Sequence, residues 1–140
     1  MELFDTPLEP SRLQRNSGDF AEVRRIAESG DDHPVLMLNM NRYAHDSGFP
    51  DHGAYRDYIA GLGPFLIGAG AKLLWRFPVL GPAVGDQKID EIIACWYPLH
   101  RNFLELYDAP GAAANFHRKS LCVEYAVIHR CPGDQPPFAP

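Results

Sequence analysis

The chain has 140 residues, 46% of them hydrophobic and 22% charged, which suits one folded domain with a real core and leaves no room for two. Its net charge of −5 and pI near 5.6 speak against a nucleic-acid partner, because polyanion binding relies on clustered lysine and arginine. No apolar run approaches the roughly 18 residues of a membrane span. The start Met1-Glu2-Leu3-Phe4-Asp5 lacks the order of a signal peptide, and three cysteines without a C-x-x-C pair suit a reducing compartment, so a cytoplasmic location is expected.

A helix is expected over Gly18 to Glu28, where Phe20, Val23, Ile26 and Ala27 recur at helical spacing and Gly30 stops the run. Its arginines 24 and 25 alternate with Glu22 and Glu28, as on a solvated face. Residues 1–33 therefore form an N-terminal helical extension. Asp31 to Pro34 is a turn, and Val35 to Arg42 a strand that is apolar on both alternating faces, with Asn39 as the one amide in its middle. The loop from Ala44 to Gly53 leads to a helix with Tyr55, Tyr58, Ile59, Leu62, Phe65 and Leu66 on one side, kinked or restarted at Pro64.

Lys72 to Phe77 reads as a half-covered edge strand, and Ile89 to Tyr97 as a second strand apolar on both faces. A helical segment begins at Phe103, breaks at Asp108 to Gly111 and resumes over Ala112 to Lys119. Leu121 to Arg130 is the last strand, and residues 131–140, with four prolines, are a tail. The expected architecture is α+β, a ferredoxin-like βαββαβ domain over residues 34–130 with an extra N-terminal helix. In its usual strand order, 4-1-3-2, the two doubly apolar strands are central. With both helices on one face, the other apolar face calls for a second copy of the chain, so a homodimer through the open face of the sheet is expected.

The succession Met37-Leu38-Asn39, Tyr55, Tyr58, Gly70, the Tyr97-Pro98 strand end and Arg118 before the last strand resembles the family called domain of unknown function 1330. The resemblance implies membership of the dimeric α/β-barrel superfamily. That superfamily includes small cofactor-independent monooxygenases, muconolactone isomerases and haem-handling enzymes, and fold alone does not choose among them.

Asn39 is either an amide aimed into a pocket beneath the helices or one that pins neighbouring backbone. Arg118 is a carboxylate grip, or else a helix-end cation pairing with Glu124. Tyr55 and Tyr58 share a helix face, and with Trp75 and Trp96 on neighbouring strands they would line an aromatic cavity; the alternative is that all four are core. Cys95 and Cys122 are expected to be buried small hydrophobes. His100 and His117 flank the second helical segment and are expected near the surface as the general-base candidates. The histidines show no H-x-H or H-E-x-x-H spacing and the glycines no G-x-G-x-x-G, so neither a metal nor a cofactor is expected. The expected function is that of a small-molecule-binding homodimer, either a cofactor-independent oxygenase or isomerase acting on a small organic acid or aromatic compound, or a ligand-binding or assembly module without turnover.

Overall fold

The computed structural model describes residues 20–135. Expectations for residues 1–19 and 136–140 lie outside them. The elements are α1 (Ala21–Glu28), β1 (Val35–Tyr43), α2 (Gly53–Gly68), β2 (Lys72–Pro78), β3 (Glu91–Tyr97), α3 (His100–Glu105), a 3-10 turn at Leu106–Asp108, α4 (Ala112–Cys122) and β4 (Val123–Pro132). The four strands form one antiparallel sheet in the order β2-β3-β1-β4. This mixed α+β arrangement, an open sheet with the doubly apolar β1 and β3 at its centre, is compatible with a ferredoxin-like fold. The second crossover is built of three helical pieces, because Pro110 and Gly111 stop the chain between Asp108 and Ala112.

Several element boundaries differ from expectation by a few residues, among them the start of the third helical segment at His100 in place of Phe103 and of β3 at Glu91 in place of Ile89. Helix α2 runs through Pro64 as one element. The carbonyl of Ala60 that loses its partner there belongs to an exposed residue, where water can replace the bond. Helix α4 continues to Cys122 and takes in Leu121, which is exposed instead of starting the last strand. Strand β4 extends through Cys131 and Pro132, so the first part of the expected tail is paired with Leu36 and Val35.

Register sorts the two faces. On the inner face Val35, Met37, Asn39, Asn41 and Tyr43 of β1 stand beside Tyr97, Cys95, Ile93 and Glu91 of β3. The core forms there, where Met37, Ile93 and Tyr97 pack with Tyr58, Leu62 and Leu66 of α2, Phe103 of α3 and Cys122 of α4. Fully burying one such aliphatic or aromatic side chain contributes about 2 kcal/mol. Helix α1 adds Val23, Ile26 and Ala27 to the buried set, and Arg101 of α3 donates to the Ala27 carbonyl at its C-terminal end at 2.8 Å.

The outer face carries Leu36, Leu38 and Met40 of β1, Ile92 and Trp96 of β3, and Val127 of β4. Strand β2 adds Trp75 and Phe77, which are 40% and 61% exposed. An irregularity between Leu73 and Trp75 inserts one residue into β2 and resets which side chains face inward. Beyond it Arg76 points to the inner face while Trp75 and Phe77 point out.

Candidate functional site

The sheet separates the residues expected to line one cavity. Trp96 pairs with Leu36 and Trp75 with Ala94 on the outer face, and the Trp96 indole donates to the Gly133 carbonyl at 2.9 Å. Neither tryptophan shares a cavity with Tyr55 or Tyr58, whose helix covers the inner face. The error is one of parity: adjacency of strands does not put two side chains on the same side.

Tyr55 belongs to a closed network at one end of the inner face. Its hydroxyl donates to Glu91 Oε2 at 2.9 Å, Arg76 Nη1 donates to the same oxygen at 2.8 Å, and the Tyr43 hydroxyl donates to Oε1 at 2.7 Å. Asn41 in turn donates to the Tyr43 hydroxyl at 3.3 Å. Burial pushes both tyrosines above their ordinary titration range, helped at Tyr43 by Tyr58 and then the Glu91 charge and at Tyr55 by the Glu91 charge. Three of the donors converge on the one carboxylate and Asn41 reaches it through the Tyr43 hydroxyl, which suits a structural pin, with Asn41 Oδ1 the one buried atom there that has no partner among the described residues.

Asn39 sits at the centre of the inner face, and its amide nitrogen donates to the carbonyls of Met37 at 3.3 Å and Ile93 at 3.4 Å and toward Cys95 Sγ at 3.7 Å. It thus pins backbone, but none of these bonds uses its Oδ1. Asn39 is also only half-buried, although Met37 and Asn41 on either side of it are 1% and 0% exposed. On β4 its partner Ile128 and the next inner residue, Ala126, are likewise half-buried. The cover over the sheet is thinnest here.

Above this region α4 turns inward Ala112, Asn115, Lys119 and Cys122, a spacing of three, four and three that stacks them on one face. Two of the four are polar, and Lys119 is 8% exposed. Among the described residues, no hydrogen-bond partner reaches Asn115 Oδ1, nor Nε of the neighbouring Arg118, though both atoms are buried. Unpaired buried polar atoms are rare in folded proteins, because each costs about 1–3 kcal/mol. Three polar side chains thus fall within five residues of one helix, two of them with a buried atom left unpaired among the described residues.

Arg118 reaches across to α2. A side chain at Gly61 would place its Cβ 2.6 Å from Arg118 Nη2 and 2.9 Å from Cζ, so the glycine is where the guanidinium rests. That close approach explains a glycine in mid-helix, which otherwise costs about 1 kcal/mol against alanine. Glu124, the expected partner of Arg118, instead accepts from Arg42 at 2.7 Å.

Desolvation pushes the Lys119 amine below its ordinary range, and the groups that pull the other way are the thiols of Cys95 and Cys122 rather than a carboxylate. Burial raises Cys95 to about 12, so it is a neutral thiol at pH 7 and lends the lysine no charge. Tyr58 lies near the same thiols, and burial, then Cys95, holds it well above its ordinary range, so its hydroxyl keeps its proton. The arrangement is a primary amine, a thiol, a phenol and two carboxamides gathered between sheet and helices.

The lysine has a measurable signature. As pH falls through its ordinary value of 10.5 the unfolded chain takes up a proton that the folded chain refuses until lower pH. Stability therefore drops as pH is lowered through that window, by at most about 1.4 kcal/mol per pH unit. Lys119→Met is expected to be more stable than the parent at pH 7 in urea unfolding, with the difference shrinking toward pH 10. An equal difference at both pH values would show that the amine is charged in the folded protein.

His100 was expected at the surface, but it is buried. Its Nδ1 lies 3.1 Å from Asp32 Oδ1, and the backbone N–H groups of His100 and Arg101 donate to the two Asp32 oxygens at 2.8 and 3.0 Å. Desolvation opposes the Asp32 charge, yet the donors from Arg101, His100 and His33 hold its carboxyl below the usual range. Asp32 caps α3 from another segment, and His100 is the side chain that packs on that cap. His117 is exposed. Among the described residues no three His, Cys, Asp or Glu side chains are grouped to hold a metal, and no helix is long and apolar enough to cross a membrane.

Lys119 and Asn115 were not singled out by sequence. A lysine in His117-Arg118-Lys119-Ser120 reads as part of a solvated helix end, and only the helical phase fixed by Ala112 and Cys122 turns it inward.

No family model matches the chain, and no curated protein matches it. Among solved structures it is similar to the RPA0582 protein of unknown function from Rhodopseudomonas palustris, a structural-genomics target. The TM-score is 0.70 at 23% identity, over 90% of this chain and 99% of that one. The methylated RPA0582 protein gives a TM-score of 0.69 at 22% identity, over 93% of this chain and 100% of that one. At such identity the likeness speaks for the fold alone.

Proposed function

We propose that the protein is a homodimeric small-molecule-binding protein, a relative of the domain of unknown function 1330 family in the dimeric α/β-barrel superfamily. It holds a small organic acid or aromatic compound between its helices and its sheet. The observation that carries this reading is the run Asn115 to Lys119 of α4, which holds a buried amine with no carboxylate partner among the described residues, an orphaned acceptor one turn before it and an orphaned donor on the adjacent Arg118. A ligand carboxylate supplies what the helix lacks: on binding, the Lys119 amine takes up a proton from solution and the resulting ion pair is shielded from water. The half-buried Asn39, with Oδ1 unused, faces the same region from the sheet. Cofactor-independent isomerisation or oxygenation is the chemistry that fits a protonated phenol and a lysine around an acid. Binding without turnover is the alternative.

The dimer reading rests on the outer face, where Leu36, Leu38, Met40, Trp75 and Phe77 make a contiguous apolar sheet with no layer over it among the described residues. The test of ligand binding is calorimetry with benzoate, salicylate, 4-hydroxybenzoate and short-chain 2-oxo acids. At least one is expected to bind one per chain with proton uptake, and Lys119→Met to abolish it. Binding that survives this substitution, or no binding by any member, overturns the reading. Product formation with a bound member decides for an enzyme.

A further inference from the structure

We infer that Lys119 is a covalent carbonyl-binding residue: its side-chain amine condenses with an aldehyde or ketone admitted between α4 and the sheet, forming an imine. The inference rests on the proposed ligand site and names a second chemical class for it.

Geometry supports this in three ways. The amine is carried on the buried face of α4, beside Cys95 of the central strand β3 and away from bulk water, where an imine is protected from rapid hydrolysis. The carboxylates of the surrounding elements are engaged elsewhere. Glu91 is bound by Arg76, Tyr43 and Tyr55, and Glu124 by Arg42, while Asp57 of α2 is exposed. Among the described residues no carboxylate pairs with Lys119, and desolvation favours the free base. Finally, Asn39 Oδ1 and Asn115 Oδ1 are open acceptors for the N–H and O–H groups of a carbinolamine.

The step balances without any co-reactant. The nitrogen lone pair forms a bond to the carbonyl carbon as the carbonyl π pair moves to oxygen, and a proton passes from nitrogen to that oxygen. The carbinolamine nitrogen then pushes out the hydroxyl as the C=N bond forms, and the remaining N–H proton leaves with it to make water. Hydrolysis reverses every stage.

The chain has three lysines, and Lys72 and Lys88 are exposed, so the protein contains its own controls. The full chain is incubated at pH 7 with benzaldehyde or acetaldehyde and sodium cyanoborohydride, which reduces an imine to a stable secondary amine, and the alkylated peptides are mapped by mass spectrometry. Lys119 is expected to be labelled at least about tenfold faster than Lys72 and Lys88, since at pH 7 an ordinary lysine is almost wholly protonated. Prior addition of benzoate is expected to slow Lys119 alone. Labelling of Lys72 and Lys88 with none at Lys119, for both aldehydes, overturns the inference. If a member of the acid panel nevertheless binds in calorimetry, the ligand site stands and only the covalent step fails; if none of them binds either, both fail. Mapping uses the parent protein, so the result is independent of whether a Lys119 variant folds.

Discussion

Glu91→Ala is expected to cost about 3–4 kcal/mol of folding stability, a large part of the roughly 5–15 kcal/mol that holds a domain of this kind together. The carboxylate is 3% exposed and accepts from Tyr43, Tyr55 and Arg76 at once. Those donors come from the end of β1, the start of α2 and the edge strand β2, so one side chain joins three segments far apart in sequence. Removing it leaves the Tyr43 hydroxyl buried without its acceptor and Arg76 without its counter-charge. Glu91→Gln keeps the volume and one acceptor oxygen but turns a second donor toward the Tyr43 or Tyr55 hydroxyl. It is expected to lose about 1–2 kcal/mol. Urea unfolding at pH 7 separates the cases: a loss below about 1 kcal/mol for the alanine variant would mean that the network is solvent-compensated and unimportant to stability.

Leu38→Asp is expected to turn the proposed dimer into a monomer. Leu38 is central on the outer face, between Ala94 and His129 in the two neighbouring strands. In a single chain that face is open and the carboxylate is hydrated at little cost. In a face-to-face dimer the twofold brings two copies of it into an apolar layer, and burying an unpaired charge costs about 3–5 kcal/mol. The dissociation constant is then expected to rise at least about 100-fold. Sedimentation equilibrium of the parent and the variant, with far-ultraviolet circular dichroism to show that the variant is folded, measures this. A monomeric parent at tens of micromolar, or a variant that stays dimeric, would remove the assembly reading.

The sheet was legible in the sequence because its signals are local. Doubled apolar character marks Val35 to Arg42 and Ile89 to Tyr97 as central strands, and the break at Asp108 to Gly111 marks the interrupted second crossover. The candidate site was only partly legible. Asn39 stood out because an amide is conspicuous among apolar neighbours, and both of its weighed roles find an atom: the nitrogen pins backbone, and Oδ1 is left over. Lys119 was hidden because burial of a charged residue is decided by tertiary packing, and a lysine next to arginine and serine carries no local sign of it. The tryptophans stand apart from the tyrosines because adjacency of strands does not fix parity, and in β2 parity is broken by an inserted residue that the run Leu73-Leu74-Trp75 does not advertise.

That inserted residue links the inside of the protein to its outside. With one residue fewer between Lys72 and Arg76, strict alternation would turn the guanidinium of Arg76 outward and the rings of Trp75 and Phe77 inward, since a single-residue slip exchanges the faces of everything beyond it. The interior would then lose the cation that balances Glu91, and the outer face would lose its two most exposed aromatic rings. Charge neutrality within and the apolar character of the outer face are thus inherited as one trait. A deletion at Leu74 cannot forfeit one and keep the other.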